Sequence, residues 1–385
     1  MNPAIDTSKP IQMVDLATQY DKIKAEIDAA VIDVLGSTAF INGPAVHAFQ
    51  AALESYLGVK HVIPCANGTD ALQIAMMAVG LKPGDEVIVP AFTYVATAEV
   101  IGLLGLTPVM VDVDAGTFNV TAEIIEAAIT KRTKAIVPVH LFGQSCDMQP
   151  IMDVAERHKL WVIEDNAQAI GANYTGPDGI VRKTGTMGHI GCTSFFPSKN
   201  LGCYGDGGAI FTNDDELAER MRMIANHGQV ERYYHSMIGV NSRLDSIQAA
   251  ILNVKLARLD EYCAARLKAA ETYDAAFAGI DGLSTPMREP TSTHVFHQYT
   301  LIVSNNRRGE LQQHLQSRGV PSMIYYPVPL YKQKAFAPFV DAQMTLPVTE
   351  ELCDAVISLP IHTEMNDELL GTICDGVTSF FRDHK

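Results

Sequence analysis

"KAIVPVHLFGQSCDMQPIMDVAERHKLWVIEDNAQ", from Lys134 to Gln168, reads as a strand, a helix and a second strand. The apolar runs Lys134–Gly143 and Leu160–Gln168 enclose Met148–Lys159, where apolar residues recur at helical spacing. The same alternation continues on both sides, and further strands are predicted at Glu86–Pro90, Thr107–Asp114, Gly191–Phe196 and Gly207–Asp214. Continuously apolar strands that alternate with helices predict an α/β fold with a mostly parallel sheet covered on both faces.

The rest of the chain predicts a second domain. A chain of 385 residues is long enough for two domains. The helical pattern from Ser246 to about Phe277 predicts one long helix that connects them. Beyond it we expect a strand at His297–Asn305, a helix around Arg308–Arg318 and terminal helices near residues 349–358 and 367–382.

Composition excludes several functional classes. A net charge of −15 argues against duplex nucleic acid or an anionic membrane as the main partner, because both require a basic surface. The start lacks the pattern of a signal peptide, and the longest apolar stretch is too short to span a bilayer. Seven scattered cysteines without a CxxC pair fit reduced thiols rather than a metal site. We expect a cytoplasmic protein without a metal.

The segment "SFFPSKNLGCYGDGG", Ser194 to Gly208, contains a lysine between apolar residues and closely spaced glycines. If Lys199 is withdrawn from water, its pKa falls and the neutral amine can attack a carbonyl to form a Schiff base. The alternative is a surface lysine at the end of a strand, and the local sequence leaves both interpretations open. The chain lacks a GxGxxG fingerprint, a YxxxK pair and a P-loop, which disfavours nicotinamide and nucleoside triphosphate chemistry.

Two further features lie where strands end. "VIEDNAQ" ends a predicted strand with Glu164 and Asp165, and a carboxylate there could keep a pyridine nitrogen protonated. A helix N-cap or a loop ion pair would explain the same acids. In "PAFTYVATAE", Tyr94 follows a strand and could stack on a planar ring, although a core aromatic is the simpler interpretation.

A fourth feature is "CANGTDALQIAMM", from Cys65 to Met77, where a glycine and a hydroxyl residue open a helix directly after a strand. Free N–H groups and the positive end of the helix dipole could let Gly68 and Thr69 hold a phosphate. A plain N-cap at Asn67 or Thr69 is equally consistent. Together the four features predict a site for pyridoxal 5′-phosphate, which needs a lysine, a carboxylate, a stacking ring and a phosphate cup.

These motifs resemble those of the DegT/StrS-type pyridoxal phosphate-dependent sugar aminotransferases, within the aspartate aminotransferase fold group. The resemblance covers essentially the whole chain, from "FINGP" through "NGTDAL", "EDNAQAIGA", "SFFPSKNLG" and "GVNSRLD" to "SLPIH". It implies fold type I. The large cofactor-binding domain, residues 1–255, would hold a mostly parallel seven-stranded sheet sandwiched by helices, and residues 256–385 would form a smaller α+β domain.

The resemblance also implies roles for individual residues. Lys199 matches the lysine that bonds covalently to the cofactor, Asp165 the partner of the pyridinium nitrogen, and Gln168 the donor near the phenolic oxygen of the ring. The other cofactor positions are Gly68, Thr69 and Ser194 at the phosphate, Tyr94 over the ring, and Asn241, which reaches the cofactor phosphate of the neighbouring subunit. A homodimer with shared active sites is therefore implied.

Within the family the chain looks most similar to enzymes that aminate C3 of a UDP-2-acetamido-2-deoxy-3-oxo-D-glucuronate. Arg243 matches a substrate-binding arginine, and Tyr326 a tyrosine contributed by the partner chain. Tyr325 stands where that subgroup has histidine, and a tyrosine hydroxyl can donate a hydrogen bond but carries no positive charge.

The resemblance therefore implies transfer of the amino group of L-glutamate, through pyridoxamine phosphate, to a keto sugar nucleotide used in bacterial surface polysaccharides such as O-antigen. The alternatives are a UDP- or dTDP-4-keto-6-deoxyhexose as substrate, a pyridoxal phosphate-dependent sugar dehydratase, and a cofactor-binding regulator. Lys199 favours amino transfer over dehydration, and the acidic composition opposes a nucleic-acid-binding regulator.

Overall fold

The computed structural model describes residues 10–383, in which helices and strands alternate through the first two thirds of the chain. The helices are α1 (Leu16–Ser37), α2 (Pro44–Leu57), α3 (Gly68–Ala78), α4 (Ala96–Leu103), α5 (Ala122–Ala127), α6 (Met148–His158), α7 (Asp215–Ala225), α8 (Ser246–Leu256), α9 (Leu259–Phe277), α10 (Arg308–Ser317), α11 (Pro347–Ala355) and α12 (Asp367–Asp383). The strands are β1 (His61–Cys65), β2 (Glu86–Pro90), β3 (Thr107–Val111), β4 (Thr133–Ile136), β5 (Trp161–Asp165), β6 (Asn173–Thr175), β7 (Val181–Lys183), β8 (Ile190–Ser194), β9 (Gly208–Thr212), β10 (Gln229–Glu231), β11 (Tyr234–His235), β12 (Leu283–Ser284), β13 (Tyr299–Val303) and β14 (Val356–Leu359).

The central sheet has seven strands in the order β1-β9-β8-β5-β4-β2-β3. Strand β9 runs antiparallel to both of its neighbours, and the other pairs are parallel. One face packs on α3 and α7 through residues such as Ile74 and Met221, and the other on α5 and α6 through residues such as Ile125 and Ile151. This confirms the predicted α/β class with a mostly parallel sheet between helices.

All six predicted strands of this sheet are present, although several are shorter than the apolar runs that predicted them. Strand β2 matches its run in full, whereas β4 ends at Ile136 within the predicted Lys134–Gly143. Pro138 has no N–H to donate to the sheet, which explains the early end of regular pairing. Its carbonyl still accepts a hydrogen bond from the N–H of Asp165 at 2.9 Å. The chain therefore stays beside the end of β5, where the site is expected.

The single long helix predicted from Ser246 to Phe277 is wrong, because the chain forms two helices, α8 and α9. Arg258, between them, has φ −113° and ψ 3°, outside the helical region. Its side chain donates to the carbonyl of Val254 at 3.0 Å and pairs with Glu26 of α1 at 2.6 Å. The bend is therefore held by contacts with the last turn of α8 and with a distant helix.

A second sheet, in the order β12-β13-β14, is antiparallel. It packs with α9, α10 and α12 around a separate apolar cluster that includes Tyr273, Leu311 and Val377. The boundary predicted between residues 255 and 256 stays a prediction, and its two ranges extend beyond the described residues.

Within residues 10–383, no helix combines the length and the apolar character that crossing a membrane requires.

Candidate active site

Lys199 lies in a tight loop that connects β8 to β9. The Phe195 N–H donates to the Gly207 carbonyl at 2.7 Å, and the Cys203 N–H to the Phe195 carbonyl at 2.8 Å. A Cβ added to Gly202 would lie 2.3 Å from the Pro197 carbonyl oxygen, so the loop can close this tightly only around a glycine. Phe195 is buried, which anchors the loop in the core, whereas Phe196 is 53% exposed.

Lys199 is partly buried, and this withdrawal from water changes the chemistry of its amine. It lowers the pKa of this lysine to about 8, although the Asp165 carboxylate acts in the opposite direction. The ordinary pKa of a lysine lies above 10, so a much larger share of Lys199 is the neutral, nucleophilic amine near neutral pH. This is the property expected of a lysine that forms a Schiff base.

The Asp165 side chain, at the end of β5, is held at both oxygens. Oδ2 accepts a hydrogen bond from the Thr97 hydroxyl at 2.8 Å, and Oδ1 one from the Ala167 N–H at 3.1 Å. Asp165 and Thr97 are both buried. With a donor on each oxygen, the Asp165 carboxylate has a fixed orientation in the site.

Glu164, the neighbouring acid, serves the interior instead. Successive side chains of a strand point to opposite faces. The Glu164 carboxylate accepts from the N–H groups of Gly185 and Met187 and lies 2.7 Å from Nε2 of His140. The Cys146 N–H donates to Nδ1 of His140, which leaves the Nε2 proton for Glu164. Of the two acids that end this strand, only Asp165 belongs to the site.

Gln168 has its amide fixed by two neighbours. Its Oε1 accepts from the Phe142 N–H at 2.7 Å, and its Nε2 donates to the Tyr326 hydroxyl at 3.1 Å. A buried side-chain amide whose oxygen is already bonded presents its second N–H hydrogen in a defined direction. Phe142 has a positive φ of 56°, which is unusual for a residue other than glycine.

The prediction that Tyr326 serves the partner's active site is wrong for the arrangement within this chain. Tyr326 bonds to Gln168 of the same chain, and its ring centroid lies 6.0 Å from that of Phe92 and 6.4 Å from that of Tyr94. The physical reason is that the segment after α10 returns across the large sheet and packs in its apolar cluster. Tyr326 is therefore placed beside the chain's own Gln168, close enough to Asp165 for that carboxylate to act on its hydroxyl.

The other two tyrosines differ in exposure. Tyr94 is 57% exposed, so one face of its ring is available to a planar ligand. Tyr325 is partly buried, and its ring centroid lies 6.0 Å from that of Tyr326. Burial raises the pKa of Tyr325, which keeps its hydroxyl neutral.

A cup for a phosphate forms where α3 begins. The Asn67 side chain caps the helix by accepting from the Asp70 N–H at 2.8 Å, while the N–H groups of Gly68 and Thr69 have no acceptor inside the helix. A Cβ on Gly68 would lie 2.8 Å from Cβ of Ser194, so these two backbones approach closely. Gly68, Thr69 and Ser194 are thus brought together at a positive helix end.

Asn241 and Arg243 are less tied to this cluster. Asn241 is exposed and pairs through its backbone with Asn226. Arg243 is partly buried. Between them, the Ser242 hydroxyl accepts from the Ala66 N–H at 3.0 Å, which places the segment next to the start of α3. Their assigned roles at the partner's phosphate and at the substrate stay predictions.

Comparisons with known proteins agree with this geometry. Residues 21–378 match the DegT/DnrJ/EryC1/StrS aminotransferase family. The chain belongs to this family. A UDP-2-acetamido-2-deoxy-3-oxo-D-glucuronate aminotransferase of Pseudomonas aeruginosa is 48% identical, over 96% of this chain and all of the relative.

A UDP-N-acetyl-3-dehydro-alpha-D-glucosamine 3-aminotransferase of Acidithiobacillus ferrooxidans is 45% identical, over 94% of this chain and 96% of the relative. The crystal structure of NtdA from Bacillus subtilis with bound cofactor PMP superposes with a TM-score of 0.90. It is 32% identical and covers 99% of this chain and 86% of its own. The predicted family, fold class and aminotransferase activity are confirmed.

The residues of this aminotransferase also fit its cofactor, pyridoxal 5′-phosphate. The free N–H groups at Gly68 and Thr69 and the hydroxyl of Ser194 suit a phosphate, the oriented carboxylate of Asp165 suits a pyridinium nitrogen, and the amine of Lys199 suits an aldehyde. The second N–H of Gln168 suits a phenolic oxygen.

Two residues of the aminotransferase site were missed by the sequence analysis. Thr97 donates to Asp165, and Phe142 fixes Gln168 through its backbone N–H. The motif "TYVATAE" contained Thr97 in the first turn of a helix that follows a strand end, which is a usable signal for a hydroxyl at this edge of the sheet. Nothing in the sequence indicates the positive φ of Phe142.

Proposed function

We propose that the protein transfers the amino group of L-glutamate to the C3 ketone of UDP-2-acetamido-2-deoxy-3-oxo-D-glucuronate, for the synthesis of bacterial surface polysaccharide. The observations that carry this proposal are the Lys199 amine, on whose charge the Asp165 carboxylate acts, and the close approach of Ser194, just before the Lys199 loop, to Gly68. The aminotransferase that is 48% identical to this chain supports the choice of sugar.

When bound, pyridoxal phosphate supplies an aldehyde that takes the amino group and a ring that spreads the resulting negative charge. The protein provides the proton transfers. Lys199, as a neutral amine, can take a proton from the carbon that carries the amino group and return it elsewhere. Asp165 holds a proton at the ring nitrogen, and the buried hydroxyl of Tyr326 supports Gln168.

Arg243 is assigned to the sugar nucleotide in this proposal. Its planar guanidinium can bind a carboxylate or a diphosphate with two parallel hydrogen bonds. A second candidate substrate is the 3-keto derivative of UDP-N-acetylglucosamine, whose C6 is an uncharged hydroxymethyl. The neutral hydroxyl of Tyr325 favours it, as does the relative that is 45% identical.

A substrate panel tests the function. Purified protein loaded with cofactor is given L-glutamate and, separately, the 3-keto uronate, the 3-keto N-acetylglucosamine and a dTDP-4-keto-6-deoxyhexose. We expect amino-sugar formation with the uronate and formation of 2-oxoglutarate in equal amount. Turnover of the 4-keto sugar alone would overturn the proposal, and preference for the hydroxymethyl sugar would select the second candidate.

The role of Arg243 has its own test. Arg243→Ala should raise the KM for the sugar nucleotide far more than the KM for glutamate, because only the sugar loses a bidentate partner. Arg220→Ala, at an exposed arginine of α7, is the matched control and should change neither value. Equal effects of Arg243→Ala on both substrates would remove this residue from the sugar site.

We also propose a homodimer in which Asn241 completes the partner's cofactor site. Its exposure, and the exposed apolar side chains of Val230, Tyr234 and Ile238 nearby in sequence, support an interface there. Mixing Lys199→Ala with Asn241→Ala subunits should restore activity to about a quarter of the sites, since half of the dimers are mixed and each repairs one site. No recovery after verified subunit exchange would contradict shared sites.

The expected cytoplasmic location belongs to the same proposal, and cell fractionation checks it.

A further inference from the structure

The contact between Thr97 and Asp165 joins two distant parts of the chain inside the site. Thr97 is in the first turn of α4, and Asp165 ends β5. The Thr97 hydroxyl lies 2.8 Å from Oδ2 of Asp165, and the two residues are 1% and 6% exposed. A hydrogen bond from a hydroxyl to a carboxylate is among the stronger kinds, and burial strengthens it further.

We propose that Thr97 is a positioning residue that controls where the proton shared by Asp165 and the cofactor ring nitrogen lies. The inference rests on the proposed function, in which that nitrogen faces Asp165. With Oδ2 accepting from Thr97 and Oδ1 from Ala167, the carboxylate is arranged to meet the ring nitrogen as a hydrogen-bond acceptor. The shared proton therefore stays on the ring nitrogen, where it makes the ring an effective electron acceptor.

Thr97 also fixes the direction of the carboxylate. The Ala167 N–H holds Oδ1 at 3.1 Å from one side, and the Thr97 hydroxyl holds Oδ2 from another element. With both oxygens bonded, rotation of the carboxylate about its terminal bond breaks at least one hydrogen bond. Without Thr97, Ala167 alone would hold Asp165, and the carboxylate would lose its contact with α4.

Two variants separate the effect of the Thr97 hydroxyl from that of the rest of the side chain, and a third variant is the control. Thr97→Val removes the hydroxyl and keeps the shape, and Thr97→Ser keeps the hydroxyl. The matched control is Thr93→Val, because Thr93 is also 1% exposed and its hydroxyl has no hydrogen-bond partner among the described residues. If Thr97→Val does not accumulate as folded protein, Thr97→Ala and Thr97→Ser give the same contrast.

The main measurement is nitrogen NMR of protein loaded with pyridoxal phosphate that carries nitrogen-15 in its ring. We expect the ring resonance of Thr97→Val to move toward the position of a neutral pyridine, while Thr97→Ser and Thr93→Val keep the wild-type position. An unmoved resonance in Thr97→Val, or an equal movement in Thr93→Val, overturns the inference.

A kinetic measurement complements it. The single-turnover reaction with L-glutamate alone should slow by about 10- to 100-fold in Thr97→Val, with recovery in Thr97→Ser and little change in glutamate affinity. A loss of affinity with an unchanged rate would contradict a role in holding the ring proton. Neither measurement uses a sugar nucleotide, so failure of the proposed sugar substrate would leave this result intact and would be recognised separately.

Discussion

Two lysines of this protein have the same altered pKa and different surroundings. Burial lowers the pKa of Lys199 and of Lys255 to about 8. The charge of Lys199 is favoured by the Asp165 carboxylate. Lys255, in α8, is 1% exposed and its amine lies 5.1 Å from the ring centre of Tyr204. The Arg266 guanidinium disfavours its charge further.

The difference shows that a lowered pKa does not identify a catalytic lysine. Desolvation is the largest cause at both positions, so it reports burial and nothing about function. What distinguishes Lys199 is the nearby Asp165 carboxylate, which is held at both oxygens, and the position of its loop just after Ser194, which lies against the start of α3. The neighbours of Lys255 are a tyrosine face, the thiol of Cys203 and a second cation.

The largest expected effect separates the two lysines by activity. Lys199→Met should lower the rate of amino transfer by about 100- to 10,000-fold, because the amine that transfers the proton is lost. Lys255→Met should keep activity within the same order of magnitude as the wild type. Absorbance of the bound cofactor during reaction with L-glutamate measures both. Comparable losses in the two variants would mean that Lys255 acts in the reaction as well.

The sequence carried most of the information needed to predict the catalytic groups. Lys199, Asp165 and Gly68 each lie at or after the end of an apolar run. The strands β8, β5 and β1 that carry these runs point in the same direction, so their carboxyl ends lie at one edge of the sheet, although the antiparallel β9 separates β1 from β8. Thr97 could not be paired with Asp165 in this way, because they are 68 positions apart on a helix and a strand and the contact depends on packing. The position of Tyr326 could not be predicted for the same reason, because the segment that carries it is irregular and its place depends on packing.

Burial of Lys255 was equally hidden. The pattern Ser246–Phe277 predicted an apolar helix face, and Lys255, Tyr262 and Arg266 follow one another at the spacing of such a face. Long basic side chains usually extend to water at the edge of an apolar face. The bend at Arg258 lies beside α1, where Arg258 pairs with Glu26. The sequence around Arg258 does not indicate this contact with a distant helix.

The next effect concerns the cation beside Lys255. Arg266 is 2% exposed, and its Nη1 donates to the carbonyls of Phe296 at 3.1 Å and Ile361 at 2.9 Å. Arg266→Met should lower the free energy of unfolding by about 3 kcal/mol, because these buried carbonyls lose a charged donor. Urea unfolding measures the change. Lys268→Met, at an exposed residue of the same helix, is the control. An equal effect of both variants would mean that the hydrogen bonds of Arg266 to these carbonyls do not stabilise the fold.

Lys255 itself should be destabilising near neutral pH. Its pKa falls from 10.5 to about 8 on folding, which corresponds to a cost of about 3 kcal/mol when the group must be charged. Because the unfolded chain binds more protons between pH 8 and 10.5, this residue makes wild-type stability rise with pH across that window. Lys255→Met does not have this cost of burying a charge. We therefore expect the free energy of unfolding of the variant to be about 1–3 kcal/mol higher at pH 7, reduced by the packing contacts that the substitution removes.

The test of this prediction is the difference in urea-unfolding free energy between Lys255→Met and the wild type at several pH values, with cofactor bound in both. The advantage of the variant should shrink as the pH rises from 8 to 10.5. Other titrating groups cancel in the difference. An advantage that is independent of pH would mean that the pKa of Lys255 does not fall on folding, and that the difference in stability comes from packing alone.

The smallest effect acts on Lys199. Asp165 raises the pKa of this lysine while burial lowers it, so removal of the negative charge should move the pKa further down from about 8. Asp165→Asn keeps the size of the side chain, and we expect a decrease of up to about one pH unit. The pH dependence of modification of Lys199 in cofactor-free protein, quantified on its peptide by mass spectrometry, measures it. Lys268 is exposed and serves as the internal standard for the reaction with the reagent. If Lys268 shifted as well, the variant would have changed the fold or the reaction conditions and not the charge near Lys199. If Lys199 did not shift, the Asp165 charge would not reach it, and Lys199 would differ from Lys255 only in the groups that surround it.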